Sequence, residues 1–280
     1  MRVIHTDIII NEIKDMCIKA NHELSADISE RIVAAEKNEN EGIGKQILGQ
    51  LVTNMDIAKN EMIPICQDTG MTTVFMKIGQ DVHIEGMPLT EAINEGIRRG
   101  YEEGYLRKSV VTDPIERVNT KDNTPGIIHY DIVSGEEVVI TVAPKGFGSE
   151  NMSRVYMLKP ADGIDGIKKA VIETVKLAGP NACPPMVVGI GIGGNFEKCA
   201  ELAKKALTRN ADVIPEKEYV ATLEKELLEE INSLDIGPGG LGGKTTALAV
   251  NIETYPTHIA GLPVGINICC HVNRHITRTI

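Results

Sequence analysis

The chain has no tryptophan, and phenylalanine and tyrosine together make up only 3% of its 280 residues. Surfaces on which nucleobases stack are therefore scarce, which argues against a single-stranded nucleic-acid binder. Positive charge is also short. The formal net charge is -10, the wrong sign for a phosphate backbone, although one basic pocket on an acidic protein can still take a small anion. No run of 18 apolar residues is present, so no membrane-spanning helix is expected. The opening stretch MRVIHTDIIINEIKD lacks a long apolar core with a small-residue cleavage site and reads as mature sequence rather than a secretion signal. No C-x-x-C pair occurs among the six cysteines, Cys17, Cys66, Cys183, Cys199, Cys269 and Cys270. Neither a zinc nor a ferredoxin signature is local, and a disulfide scaffold would be shorter and denser. A cytoplasmic protein with reduced thiols is expected.

Hydrophobic residues amount to 42%, enough for an aliphatic core. Residues 1–60 read as helical, with apolar positions at Ile8, Ile9, Ile13 and Met16, then Ile28, Ile32 and Val33, then Ile47, Leu48, Leu51 and Val52. MIPICQDTGMTTVFMKIG reads as strand, polar corner, strand. Pro88 to Tyr105 is an amphipathic helix. GIIHYDIVSGEEVVITVAPKG reads as a hairpin turning at Ser134 to Glu136. GIDGIKKAVIETVKLAG is a helix halted by Gly179 and Pro180. PMVVGIGIGG is a buried strand followed by the helix NFEKCAELAKKALTRN. A charged helix and two strand-like segments, ALAVNIETYP and PVGINICCHV, complete the pattern. The order is irregular, which predicts an α/β (mixed α+β) fold with a mixed sheet flanked by helices, not a doubly wound sheet. A single domain over 1–280 is expected, with a helical part at 1–60 and an α/β part at 61–280.

Two stretches imitate nucleotide loops. IGPGGLGGKTT ends like a phosphate loop. Its first glycine should fall at 238, where Pro238 stands without an amide hydrogen, and a charged helix precedes it where a strand is required. Gly189, Gly191 and Gly194 fit G-x-G-x-x-G between a strand and a helix, the context of a dinucleotide site. VIPEKEYV after that helix has little strand character, so close strand–helix packing is the plainer reading. A dinucleotide-binding module remains the non-enzymatic alternative.

Cys66 in PICQDTG, Cys183 in NACPPM and Cys270 in NICCHVNRH each stand at the edge of an apolar segment beside polar or turn-forming residues. Cys17 and Cys199 lie in helices and suit a structural role. Cys269 and Cys270 alternate across a strand, so one of them faces a site at most. Gln67, Asp68 and Thr69 place an amide, a carboxylate and a hydroxyl in one turn, which an Asx turn would also explain. PKGFGSEN is a second glycine-rich corner carrying Lys145. Arg107 and Lys108 end a helix, where dipole complementarity is an alternative to a site. His258 lies next to a turn.

Taken in order, PICQDTG, APKGFGSEN, NACPPMVVGIGIGGNFE, GPGGLGGKTTALAVNIETYPTHIAGLPVGIN and CCHVNRH resemble the class I, iron–sulfur fumarate hydratase family, which includes L(+)-tartrate dehydratase. The resemblance runs from about Met62 to His275 and is to the N-terminal half, the alpha subunit of two-chain members. It implies that Cys66, Cys183 and Cys270 hold a [4Fe-4S] cluster with one iron open. It implies that Gln67 and Asp68 face the substrate, Asp68 handling a proton, and that Arg107 and His258 bind carboxylate. Gly146 and Gly148 would let the loop backbone approach the ligand. The implied reaction is the interconversion of fumarate and (S)-malate, with L(+)-tartrate dehydration as the alternative. The implied partners are a small dicarboxylate and a beta subunit completing the site, in a heterotetramer or larger assembly without nucleic acid or membrane.

Overall fold

The computed structural model describes residues 1–280. In chain order the elements are β1 (Arg2–His5), α1 (Thr6–His22), α2 (Ala26–Asn38), α3 (Ile43–Glu61), β2 (Met71–Gly79), β3 (Val82–Glu85), α4 (Leu89–Glu103), β4 (Ile127–Val133), β5 (Val138–Lys145), α5 (Phe147–Glu150), β6 (Arg154–Leu158), α6 (Gly163–Ala178), β7 (Met186–Gly194), α7 (Phe196–Ala206), α8 (Glu218–Asn232), β8 (Ala247–Thr257), β9 (Leu262–Cys269) and β10 (Ile276–Thr279). The architecture is mixed α/β, as the irregular alternation predicts. No helix is long and apolar enough to cross a membrane.

Backbone contacts divide the chain into two compact units. The first comprises residues 1–25, 55–147 and 274–280; the second comprises 26–54 and 148–273.

The first unit is built on a four-stranded sheet of order β10-β5-β2-β4, with a separate parallel pair β1-β3. Val74, Met76, Ile140 and Val142 on one face of that sheet join Ile9, Ile13 and Met16 of α1 and Ile93, Ile97 and Tyr101 of α4 in the core. Glycines 96 and 100 let α4 approach α1, since a Cβ there would meet the Ile10 carbonyl at 2.8 Å and the Cys17 Cβ at 2.8 Å. Two expectations are corrected here. The segment before the polar corner, Met62 to Ile65, is not a strand: the Ile65 N–H bonds the Asn21 carbonyl at 2.9 Å. β4 and β5 do not form a hairpin, because β2 lies between them, parallel to β4 and antiparallel to β5. Alternating apolar residues specify strands but not which strand each one pairs with. β1 is a strand where helix alone was expected; four residues are too few to carry a period.

The second unit has a four-stranded sheet of order β6-β9-β7-β8. β7 is parallel to β8 and antiparallel to β9. Val188, Ile190, Val250, Ile252, Val264 and Ile266 share a core with Val171, Val175 and Leu227 from α6 and α8. α7 lies close against β7. A Cβ on Gly189 would stand 2.2 Å from the Ala203 carbonyl, and one on Gly191 would stand 2.1 Å from the Cys199 carbonyl. These glycines serve strand–helix packing, the plainer of the two readings of G-x-G-x-x-G. The Asn195 side chain caps α7 by accepting from the Lys198 N–H at 3.0 Å.

Candidate active site

The first unit gathers Cys66, Gln67, Asp68, Gly146 and the main chain of Arg107. The turn carrying Asp68 is fastened from several directions. The Tyr101 hydroxyl, fully buried on α4, donates to the carbonyls of Thr69 at 2.7 Å and Gly70 at 3.0 Å. The Asn123 amide donates to the Gly70 carbonyl at 3.1 Å. The Thr69 hydroxyl donates to the Arg107 carbonyl at 2.9 Å. Arg274, buried, donates from Nε to the Pro144 carbonyl at 3.1 Å and from Nη2 to the Asp68 carbonyl at 2.5 Å. Gly70 takes φ +81°, and a Cβ there would stand 2.7 Å from the Lys145 backbone, so only glycine fits this crossing.

The Asp68 carboxylate is held by main-chain donors. Oδ1 accepts from the Gly70 N–H at 3.0 Å, the Asx turn that composition permitted, and Oδ2 accepts from the Phe147 N–H at 2.8 Å. A carboxylate has about four lone-pair sites, so the two bonds leave acceptor capacity on each oxygen. A Cβ on Gly146 would stand 3.1 Å from Asp68 Oδ2. Gly146 is thus the residue that admits this carboxylate to the loop. Gln67 and Arg107 are exposed. The Cys66 thiol donates to Gln67 Oε1 at 3.6 Å.

The second unit gathers Cys183, Cys270 and Gly148 at one end of its sheet. β7 and β9 pair with Val187 opposite Cys269, so Cys270 and the residues leading into β7 share that end. His271 Nδ1 lies 3.0 Å from the Cys183 carbonyl. Cys183 takes φ 51° and ψ 62°, the left-handed conformation that a non-glycine residue seldom adopts. Such strain persists only where the surroundings over-determine it, and it concentrates at functional sites. A Cβ on Gly148 would meet only the Asn181 carbonyl, at 3.9 Å.

IGPGGLGGKTT belongs to the same end. The Gly239 N–H donates to the Pro184 carbonyl at 2.9 Å, and a Cβ on Gly240 would stand 2.4 Å from Pro180. Gly237, Gly239, Gly240, Gly242 and Gly243 all have positive φ, which explains the glycine content. The amides of its Lys-Thr pair are already occupied. The Lys244 and Thr245 N–H groups donate to the two Glu39 oxygens at 2.9 and 3.1 Å, and Lys244 Nζ reaches the Asn38 carbonyl at 3.4 Å. The loop cradles an internal carboxylate, not a nucleotide. Burial alone would raise the Glu39 carboxyl; the N–H groups of Lys244, Asn40 and Thr245 outweigh it and hold the carboxyl below its ordinary range.

His258 is placed elsewhere. β8 pairs with β7 so that Thr257 stands opposite Gly194, the far end of β7 from Cys183. At ~3.3 Å per residue, nine residues of strand separate His258 from that edge by roughly 25 Å within the unit. The second unit therefore brings Cys183 and Cys270 together and leaves His258 out. The strand register carries this information, and the sequence does not.

The six thiols divide into two groups. Cys17, Cys199 and Cys269 are buried, whereas Cys66 and Cys270 are partly exposed and Cys183 is exposed; none is in a disulfide. Burial pushes the Cys17 thiol up to about 12 and raises Cys199. A metal ligand must be a thiolate; the three accessible cysteines have the donor atoms an iron–sulfur cluster needs, while burial disfavours the thiolate at Cys17 and Cys199. In neither unit taken by itself are three Cys, His, Asp or Glu side chains grouped as an ion site. Arg274, Tyr101 and Asn123 were missed from sequence. Only the Asn-Arg pair following CCH offered a signal for Arg274; Tyr101 and Asn123 lie more than twenty residues from the turn they hold.

The family model described as fumarate hydratase (Fumerase) matches residues 10–279. The chain is 46% identical over 263 residues to the "Putative L(+)-tartrate dehydratase subunit alpha" of Methanocaldococcus jannaschii, covering 92% of each chain. It is 31% identical over 255 residues to the L(+)-tartrate dehydratase subunit alpha of Escherichia coli K12, covering 90% of this chain and 84% of that one. Its identity to the subunit of the same name in Shigella sonnei is also 31% over 255 residues. With a model match over nearly the whole length and the accessible cysteines falling in the quoted motifs, the chain belongs to the fumarate hydratase family of hydro-lyases.

Proposed function

We propose that this chain is the alpha subunit of a [4Fe-4S] hydro-lyase that interconverts fumarate and (S)-malate with a separate beta subunit. The observation that supports it most directly is the division of the thiols, since Cys66, Cys183 and Cys270 are the accessible cysteines and also those in the family-like motifs. These three would ligate the cluster. When bound, it would supply an iron without a protein ligand, a Lewis acid for the substrate hydroxyl and carboxylate.

The chain's own residues have the following roles in this reading. Arg107, exposed after α4, forks onto a substrate carboxylate. Asp68, fixed by the Gly70 and Phe147 amides, takes the proton from the adding water or returns it to the departing hydroxyl. Water adds across the double bond, hydroxyl to one carbon and proton to the other, so no oxidant is needed. Gln67 hydrogen-bonds the substrate beside Cys66. The open backbone at Gly148 admits the ligand, and Gly146 gives room to the Asp68 carboxylate beside it. His258 is assigned to a substrate carboxylate by the resemblance, and within its own unit it lies at the far end of β7 from Cys183.

A second reading, L(+)-tartrate dehydration to oxaloacetate, is favoured by the names of the relatives. The substrates differ by one hydroxyl, which a single hydrogen-bonding group discriminates. The deciding experiment is strictly anaerobic reconstitution with the beta subunit, followed by turnover of both substrates and iron and sulfide analysis. Equal iron and sulfide, abolished by Cys66→Ser, Cys183→Ser or Cys270→Ser and kept by Cys269→Ser, supports the ligand set. Faster turnover of tartrate would replace the first reading by the second. Absence of iron uptake with the partner present would overturn both.

A further inference from the structure

Arg274, in CCHVNRH, is 3% exposed and belongs to the first unit. A guanidinium keeps its proton in proteins, so the charge is permanent. Buried charges are ordinarily paired, because a lone ion in a low-dielectric interior is costly. Arg274 has no carboxylate partner. Nε donates to the Pro144 carbonyl at 3.1 Å and Nη2 to the Asp68 carbonyl, while Nη1 is buried with no hydrogen-bond partner at all.

Fastening the turn does not account for the charge. Tyr101 and Asn123 hold the next two carbonyls of the same turn, those of Thr69 and Gly70, with neutral donors. A neutral amide could serve the Asp68 carbonyl equally well without an unpaired ion. Arg274 thus breaks a rule of stable interiors with no local gain, and such breaks collect at functional sites.

The groups it bridges are those that place an anion. One of its acceptors is the main chain of Asp68 itself. The other is Pro144, three residues before Phe147, whose N–H holds Asp68 Oδ2 at 2.8 Å. Cys66 stands two residues before Asp68. In the proposed function this corner also takes a dicarboxylate, so negative charge accumulates there when the site is loaded. A charge acts over longer distances in a dry interior than in water, so direct contact is not required.

We propose that Arg274 is the fixed counter-charge of this anionic centre, a positioning residue that joins the Asp68 turn to the end of β5 and offsets the negative charge of the loaded site through the interior. The inference rests on the proposed roles of Asp68 and Cys66.

The test uses the anaerobically reconstituted complex with the beta subunit. Wild type is compared with Arg274→Lys, which keeps the charge, and Arg274→Gln, which keeps a donor and loses the charge. In Arg274→Gln, kcat falls about 10–100-fold, as for a lost preorganised charge, while KM stays near wild type; Arg274→Lys restores most of the rate. The reduction potential of the bound cluster, read by spectroelectrochemical titration, drops in Arg274→Gln and not in Arg274→Lys, since removing a nearby positive charge disfavours an added electron. In the cluster-free chain, the urea midpoint of Arg274→Gln is no lower than that of wild type, since an unpaired buried ion contributes no stability there. Unchanged kcat and potential in Arg274→Gln would overturn the inference. So would an Arg274→Gln chain that is unfolded or clearly destabilised without the cluster, or an Arg274→Lys protein no better than it, because either makes Arg274 a structural clamp only. Wild type that takes up no cluster with the beta subunit present would overturn the proposed function itself, and the inference with it.

Discussion

His271 Nδ1 stands 3.0 Å from the main-chain oxygen of Cys183, joining the segment after β9 to the strained turn before β7. One imidazole thereby fixes both the left-handed Cys183 and the neighbour of Cys270. His271→Ala should leave the fold intact, with a loss of about 1 kcal/mol for one hydrogen bond, and should speed iron release from the reconstituted protein. His271→Gln, which keeps a hydrogen-bonding group, should restore part of that retention. Iron release to a chelator under anaerobic conditions measures both. Equal retention in all three proteins would show that the contact is incidental.

The division of the thiols predicts which ones react. In the cluster-free chain, a maleimide should label Cys66, Cys183 and Cys270 rapidly, and Cys17, Cys199 and Cys269 only after denaturation. Peptide mapping at timed intervals reads this directly. Labelling of Cys269 at the rate of Cys270 would mean that the end of β9 is not closed as described.

Gly146→Ala should separate catalysis from folding. The added methyl would stand 3.1 Å from Asp68 Oδ2 and pushes that carboxylate by a few tenths of an ångström against its bond to the Phe147 amide. Melting temperature and iron content should stay near wild type, while kcat falls about 10–100-fold, part of the usual ~100–10,000-fold range for a displaced acid–base group. A fall in KM alone would point away from Asp68 as the proton carrier.

Gly191→Ala should do the opposite. Its methyl would stand 2.1 Å from a backbone carbonyl that cannot swing aside. Overpacking at such a contact costs about 3 kcal/mol or more, which urea denaturation would record. A stable variant with altered cofactor binding would revive the dinucleotide reading.

Glu39 gives a prediction about pH. Its carboxyl lies below its ordinary value of 4.5 in the folded chain. A depressed carboxyl contributes stability that is complete above its unfolded pKa and lost as pH falls through the folded one. Glu39→Gln should therefore lower the urea midpoint by a constant amount between about pH 6 and 8, with the gap closing below about pH 4. A gap that persists in acid would assign the effect to shape, not charge.

Long, strongly patterned segments were readable from sequence. α4, α6, α8, β7 and β9 all lie where period and stop signals put them, because each buries one face over many residues. Pairing was not readable. GIIHYDIVSGEEVVITV has two strands and a turn, and no local feature reports that β2 slips between them. The candidate site followed the same rule. Cys66, Asp68, Cys183 and Cys270 carry local motifs, whereas Tyr101, Asn123 and Arg274 act at a distance through their side-chain tips. Gly237 to Gly243 imitate a nucleotide loop because the shape of a nest is local, while the carboxylate filling it comes from α2's end, some 200 residues away.

The placement of β10 constrains how the chain acquires its shape during synthesis. The first unit begins with β1 and α1 but borrows its outer strand from residues 276–279, which pair with β5. A ribosome delivering the chain exposes α1, α4 and β2 early, and their sheet waits with an open edge at β5 while all of residues 148–273 emerge. The second unit has every strand it needs by residue 273. The order of completion thus runs against the order of translation, leaving the early-made unit to be closed last.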